Sequence, residues 1–204
     1  GRLPPLENGG GTRAQATPEQ RAELINRWEN VEDQRRLTTN DLAQGERRLE
    51  GHNREFAQSQ AQAMELAQEM DRNSSGRNYA EQLRQNQGRY QELLRMEGRT
   101  DAQTREMERL GERIDGYYAN GSKYTRMAER QLGLEQSNRE LQDKLANGTP
   151  EEQRLRESFS RLTPAEQQKV GQEYRERQQQ RVADGNRAGQ PELNDQNRRT
   201  LDAF

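Results

Sequence analysis

Paired carboxylates are the residues whose types and spacing come nearest to catalytic chemistry. Acids that are adjacent or four residues apart recur along the chain, at Glu151-Glu152, Glu32-Asp33 and Glu65 with Glu69. A hydrolase needs two carboxyl groups held across a cleft, with the pKa of at least one shifted by burial. Because every pair here lies on a polar helical face, we predict that the chain is not an enzyme. A helical hydrolase domain is kept as a further alternative, for which Glu106, Glu108 and Glu112 are the acids to test.

Metal-binding and nucleophilic sites lack the residues that they need. The sequence has no cysteine, and its single histidine, His52, has no second ligand of its kind. A disulfide framework, a thiolate metal site and a cysteine nucleophile are therefore excluded, and a zinc site is disfavoured. No phosphate-binding glycine loop, nucleophile elbow or zinc-protease motif occurs. We predict no catalytic residue, no cofactor and no metal site, and we interpret His52 as a seam or surface residue.

Arginine and tyrosine together could bind nucleic acid. The basic residues are 30 arginines and 3 lysines, with arginine doublets at 35–36, 47–48 and 198–199. Five tyrosines could stack on bases, namely Tyr79, Tyr90, Tyr117, Tyr118 and Tyr124. However, acidic residues are interleaved throughout and the formal net charge is −2, so no basic pole forms. Since the tyrosines fall on helical stripes, we interpret them chiefly as core or interface residues.

The composition predicts helices with little apolar material to cover them. Leu, Ile, Val and Phe number 27, about 13% of the chain, where a globular domain carries more than about 20%. The helix-forming residues Gln, Glu, Arg and Ala are abundant, and β-branched residues are too rare for a sheet. The predicted fold class is all-α: an elongated multi-helix assembly with partial coiled-coil or helical-hairpin character and flexible N- and C-terminal tails. No apolar run approaches the roughly 18 residues that would span a membrane.

Helix starts carry a recurring Thr-Pro-x-Glu or Thr-Pro-x-Gln pattern. It occurs at Thr17, Thr149 and Thr163. In each case the threonine can cap the helix, the proline suits the first helical position, and Glu or Gln can complete a capping box. Asn147-Gly148 predicts the end of the preceding helix. The same residues form a glycosylation acceptor with Thr149, but turn chemistry is a sufficient reason for them.

A seven-residue apolar repeat predicts one side of a coiled-coil seam. Its members are Leu42, Leu49, Phe56, Ala63 and Met70. The other seam position, three residues later, is mostly small or polar and holds Gly45, His52, Ser59 and Leu66. Such a half-built seam favours a loose helical hairpin or packing that depends on a partner. A soft break at residues 37–41 is predicted to separate this helix from the first one.

The pattern predicts seven helical segments in four regions. Residues 1–16 form a flexible linker or docking segment, 17–147 the main helical region, 148–183 two short capped helices, and 184–204 a polar tail that is disordered alone. The densest apolar stripe consists of Met107, Leu110, Ile114 and Tyr117. Its 3-4-3 spacing is typical of one helix face. The residues expected to matter most for packing and interaction are Trp28, Leu42, Leu49, Phe56, Met107, Leu110, Ile114 and Tyr117.

Together these features predict a non-enzymatic structural or interaction protein. Thin apolar seams on polar, cysteine-free helices are typical of a helical component of a larger assembly, such as a virion scaffolding, internal or ejection protein. Protein partners or a homo-oligomer are expected. The alternative is a helical nucleic-acid-associated accessory module of a DNA-processing or conjugation system. Because the chain begins with Gly1 rather than Met, we expect a fragment, a processed product or a tagged protein, and the localisation stays unknown.

Overall fold

The protein is built from helices. The computed structural model describes residues 15–202, and the side chains of residues 15–185. Six α-helices follow one another in this range, namely α1 (Pro18–Asn73), α2 (Tyr79–Arg95), α3 (Asp101–Asp115), α4 (Tyr124–Asn147), α5 (Pro150–Ser160) and α6 (Pro164–Asp202). A 3₁₀ turn at Asn120–Ser122 precedes α4. Because this range contains no strand, the all-α prediction is confirmed, whereas the coiled-coil character stays a prediction.

Helix α1 is continuous over 56 residues, so the predicted break at residues 37–41 is wrong. Thr38, Thr39, Asn40 and Asp41 are poorer helix formers than alanine by only about 0.5 kcal/mol each. Neither glycine nor proline interrupts this stretch. The small helix-propensity costs of these four residues do not end α1, because the helix is packed against other helices both before and after them. The first two of the seven predicted segments are therefore a single helix.

The chain divides into two compact units, and α1 contributes to both. Unit 1 consists of the residues up to Arg36 and of those from Asn147 onward, so it contains the first part of α1 with α5 and α6. Unit 2 is Leu37–Ala146 and contains the rest of α1 with α2, α3 and α4. The sequence analysis had placed all of α1 in the main helical region of residues 17–147. It did not pair the first part of α1 with α5 and α6, because these two helices lie more than 100 residues later in the chain.

Unit 1 has a small apolar core. Helix α1 supplies one face with helical spacing, and α5, α6 and the turn between them supply the opposing side chains. The buried members are Ala16, Leu24, Ile25, Trp28, Val31, Leu155, Leu162 and Val170, with Phe159 and Tyr174 packed partly buried against them. Full burial of one large apolar side chain is worth about 1.5–3 kcal/mol. With so few members, the polar contacts around this core carry more weight than usual.

Unit 2 has a second core that is centred on aromatic rings. The Tyr124 ring lies 5.2 Å from the ring of Phe56, 5.6 Å from that of Tyr90 and 5.6 Å from that of Tyr118, measured between centroids. These separations suit tilted and edge-to-face aromatic packing. Aliphatic and small residues from all four helices complete the buried cluster, namely Ala63, Ala67, Leu83, Leu94, Ile114 and Ala128.

The threonine caps form as predicted, but only glutamine completes the capping box. At the start of α1, the Thr17 N–H donates to Gln20 Oε1 at 3.0 Å, and the Gln20 N–H donates to Thr17 Oγ1 at 3.2 Å. Thr149 and Thr163 also accept from the N–H groups of Glu152 and Glu166, at 3.3 Å each. The two glutamates, however, direct their carboxylates to arginines on α1. The predicted full box at Thr149 with Glu152 is therefore wrong in its second half.

Two helices in unit 2 are capped by aspartates from the end of the helix before them. The Asp71 carboxylate accepts from the N–H groups of Tyr79 and Ala80 at the start of α2, at 2.6 and 3.1 Å. The Asp115 carboxylate accepts from the N–H and the hydroxyl of Thr125 at the start of α4, at 3.1 and 2.7 Å. Each aspartate therefore satisfies helix-terminal donors and fixes the turn that precedes the helix.

Of the two predicted tails, only the C-terminal one falls within the described residues. Residues 1–14, which make up most of the predicted linker or docking segment, lie outside the described residues. Helix α6 continues to Asp202, although the sequence placed the start of a disordered polar tail at residue 184. An isolated glycine such as Gly185 costs about 1 kcal/mol in a helix, and the surrounding Gln, Arg, Ala and Glu residues favour continuation.

Candidate functional site

The eight residues predicted to carry packing are divided between the two units. Trp28 is buried in the core of unit 1. Phe56 and Ile114 are buried in unit 2, and Met107, Leu110 and Tyr117 pack partly buried against the same cluster. Leu42 and Leu49 are half-buried on α1 and are not members of that cluster. Because Leu42 and Leu49 are half-buried and lie outside both buried clusters, they are the members of the set best placed for an external contact.

Leu49 lies in a shallow apolar groove on the surface of α1. The whole groove has a volume of about 470 Å³, Leu49 and Ala57 form its apolar part, and polar side chains flank them. The flanking residues carry both signs of charge, because Glu46 and Glu50 lie beside Arg54. Glu50 and Arg54 form an i,i+4 ion pair at 3.1 Å. An apolar strip with charges on its edges is the surface pattern of helices that pack against other helices.

Unit 1 buries three carboxylates, a feature that the sequence analysis missed. Glu29, Glu152 and Glu166 are buried, although glutamate is almost never fully buried unless it is paired. Each one meets basic side chains. Glu29 contacts Arg177 and Arg181 of α6.

The other two buried carboxylates connect α5 and α6 to α1. The Arg35 guanidinium donates to both oxygens of Glu152, at 3.0 Å each, and Arg21 donates to Glu166 at 3.2 Å. The two arginines are 14 residues apart on α1, which places them on the same helix face. The two glutamates are also 14 residues apart. This matched spacing is the signal in the sequence that could have revealed the contacts.

The electrostatic environment of Glu166 favours its ionised form. Burial raises the pKa of Glu166, but hydrogen bonds and positive charge from Lys169 and Arg21 outweigh it, so that pKa lies below its usual range. Burial and a hydrogen bond to the Glu32 carboxylate raise the pKa of Tyr174. Glu166 is thus an acceptor in ion pairs. A general acid would instead require a carboxyl group whose pKa is raised toward neutrality.

The acids considered for a hydrolase include one with a clear structural partner. Arg89 on α2 donates to both oxygens of Glu106 on α3, at 2.9 and 3.1 Å. Hydrogen bonds from the Arg89 guanidinium lower the pKa of Glu106. Glu108 and Glu112 are exposed on α3. The bidentate pair links α2 to α3, and the lowered pKa keeps Glu106 ionised at neutral pH.

The tyrosines of unit 2 belong to its core. Burial raises the pKa of Tyr90 to about 12 and raises the pKa values of Tyr118 and Tyr124 as well. The hydroxyl groups of Tyr118 and Tyr124 still have partners, because Gln87 donates to Tyr118 at 2.6 Å and Gln91 donates to Tyr124 at 3.0 Å. Buried rings cannot stack on bases without opening the fold. Tyr90, Tyr118 and Tyr124, three of the five tyrosines proposed for base stacking, therefore pack in the core.

His52 and Gly45 join α1 to α4. His52 is buried, and its Nε2 lies 2.7 Å from the backbone carbonyl oxygen of Met127. Since a carbonyl only accepts, Nε2 must carry the proton. About two turns earlier on the same face of α1, a Cβ at Gly45 would overlap the side-chain oxygen of Asn138. The small and polar seam positions in the sequence therefore mark close contact between two helices of the same chain.

Among residues whose side chains are described, no group of three or more His, Asp or Glu residues could hold a metal ion. Within the same part of the chain, no helix is both long and apolar enough to cross a membrane.

Comparison with known proteins yields no match, whether to a protein-family model, to a curated protein or to a solved structure.

Proposed function

We propose that this chain is a non-enzymatic, all-helical interaction protein, a component of a larger macromolecular assembly of the kind that virion scaffolding, internal and ejection proteins represent. The observation that carries the proposal is the shallow apolar groove at Leu49 and Ala57 on α1. Isolated apolar residues on a surface need no explanation. A groove in which such residues are grouped and edged by charges of both signs is better suited to a protein partner.

The use of the ionisable groups also supports the proposal. The three buried carboxylates of unit 1 each meet arginines, which hold helices together. Glu106 serves the same purpose between α2 and α3. Groups that are already paired in this way stabilise the fold and offer little reactivity to a substrate.

Light scattering over a concentration series tests the proposal. We expect the molar mass of the protein to rise above its chain mass of 23.7 kDa as its concentration increases, or on addition of the products of neighbouring genes. Leu49→Lys should abolish this rise, because a charge in the groove must be desolvated on contact. Leu66→Lys is the matched control, since Leu66 is exposed on α1 outside the groove. Circular dichroism should show equal helicity in all three proteins.

Two results would contradict the assembly proposal. One is a constant mass of 23.7 kDa across the concentration series, both alone and with the neighbouring gene products. The other is an equal effect of Leu49→Lys and Leu66→Lys, which would mean that added charge rather than the groove controls association.

A nucleic-acid-associated module is the second candidate, and the exposed arginine doublet of unit 2 favours it. Arg47 and Arg48 are both exposed on α1, whereas Arg35 and Arg36 are engaged with Glu152 and Asp33. Binding titrations at two salt concentrations separate the candidates. Phosphate contacts release counterions, so affinity should fall steeply as salt rises, and an absence of binding at low salt would remove this candidate.

A further inference from the structure

A polar concavity of about 470 Å³ lies in unit 2, between α1, the 3₁₀ turn and the first turns of α4. It is separate from the apolar groove, because no residue lines both. Helix α1 contributes Gln58, Ser59 and Gln62 to its wall. Ser122 from the 3₁₀ turn and Arg126 and Arg130 from α4 form the opposite wall.

The two arginines are the feature that points to a ligand. They are four residues apart on α4, so their side chains leave the same helix face about 5–6 Å apart at Cβ. Both are exposed, and within the described part of the chain neither one is among the residues in an ion pair. Other arginines at helix contacts in this protein meet a carboxylate on the facing helix, as Arg89 does. Two like charges at this spacing repel each other, and an anion between them would relieve that repulsion.

Neutral hydrogen-bond donors surround the arginines. The hydroxyl groups of Ser59 and Ser122 and the side-chain amides of Gln58 and Gln62 line the same space, and each can donate to an oxyanion. The α4 terminus is not the source of attraction, because Asp115 already accepts from the Thr125 N–H.

The floor of the concavity is held in place. His52 and Met127 both line it, and the 2.7 Å hydrogen bond from the ring to the Met127 carbonyl connects α1 to α4 at this point. The wall with the serines and glutamines and the wall with the arginines are thereby kept at a fixed separation. One carboxylate, Glu55, also lines the site, and its charge opposes an anion.

We propose that this concavity binds a phosphate group that is carried by a larger molecule. Arg126 and Arg130 hold the phosphate oxygens through charge-assisted hydrogen bonds, for which guanidinium is well suited, and the serine and glutamine side chains bind the remaining oxygens. The volume exceeds that of a single phosphate and falls in the range of small-molecule sites, about 300–1,000 Å³. This site does not depend on the assembly function, and each could fail without the other.

Isothermal titration calorimetry on the full chain tests the proposal with three probes: inorganic phosphate, pyrophosphate and a single-stranded oligothymidine of about ten nucleotides, a length within the usual span of single-strand sites. Saturable binding of pyrophosphate without the oligonucleotide indicates a phosphorylated small molecule. Binding of the oligonucleotide, with displacement by pyrophosphate, indicates a nucleic-acid backbone. Either pattern supports a phosphate site and identifies its source.

Variants separate the site from general charge effects. Arg126→Gln and Arg130→Gln should each weaken binding about tenfold or more, as expected for loss of one charge-assisted contact. Arg139→Gln, on the same helix but outside the concavity, should leave binding unchanged because Arg139 faces Glu135. Glu55→Gln should strengthen binding. No saturable binding of any probe up to about 10 mM, or an equal loss from Arg139→Gln, would overturn the proposal.

Discussion

Replacement of Glu152 by glutamine should destabilise unit 1 far more than replacement of Glu151 by glutamine. Glu152 is buried and accepts from Arg35 at 3.0 Å and from Arg156 at 2.9 Å. Its neighbour Glu151 is exposed and lies 3.7 Å from Arg27, which is also exposed. Both glutamates are in the first turn of α5, so both variants lose the same interaction with the helix dipole.

The expected magnitudes follow from this difference in burial. Removing one partner of a buried ion pair costs about 3–5 kcal/mol. Because Arg35 is 39% exposed, water replaces part of the lost contact, and we expect a loss of about 2–4 kcal/mol for Glu152→Gln. An exposed ion pair contributes about 0–1 kcal/mol to stability, and the interaction of the carboxylate with the helix dipole contributes about 0.3–1 kcal/mol. The Glu151→Gln variant should therefore lose no more free energy of unfolding than these two contributions together.

The fluorescence of Trp28 is the appropriate readout for this comparison. The chain has a single tryptophan, and it lies in the core of unit 1, so urea unfolding followed by its emission reports on that unit. A double-mutant cycle with Arg35→Gln should give a coupling free energy of about 1 kcal/mol or more. Equal free energies of unfolding for the two glutamine variants, within about 0.5 kcal/mol, would refute the assigned role of the buried pair.

Two further predictions concern unit 2. Gly45→Ala should reduce the free energy of unfolding by about 1–3 kcal/mol because the new methyl group collides with the Asn138 side chain on α4. Gly133 lies in open space on α4, so Gly133→Ala should raise the free energy of unfolding by up to about 1 kcal/mol. Urea titrations followed by circular dichroism measure both, and a stabilising Gly45→Ala would contradict the close approach. Burial raises the folded-state pKa values of Tyr90, Tyr118 and Tyr124, so their contribution to stability is complete below the unfolded value of about 10 and is lost as the pH rises above it. Tyrosinate absorbance should therefore appear for these three only above pH 10, together with loss of helicity, and ionisation of all six tyrosines near pH 10 with intact helices would disprove their burial.

The apolar stripes were predictable from the sequence, but their partners were not. The spacing of Leu24, Ile25, Trp28 and Val31 indicates one buried helix face, and the structure buries that face. The opposing side chains come from α5 and α6, more than 100 residues later in the chain, and no local pattern identifies them. The same limit applies to the half-built seam of α1. Small residues at one seam position are compatible with a loose hairpin or with a missing partner, and only the contact of Gly45 with Asn138 identifies α4 as the neighbour.

The sequence by itself determined the helical class and where α1, α5 and α6 begin, because threonine capping and proline at the first position act within four residues of each other. The close of α4 was equally local, since Gly148 takes a positive φ of 76° that glycine adopts at little cost. Only the tertiary structure decided what the fourth residue of each Thr-Pro-x-Glu or Thr-Pro-x-Gln pattern does. Gln20 returns its hydrogen bond to Thr17, whereas Glu152 and Glu166 carry a charge that, once buried, is better neutralised by Arg35 and Arg21 than by a backbone N–H. The same four-residue pattern therefore gives a local cap in one place and a link between distant helices in two others, because burial is a property of the fold and not of the pattern.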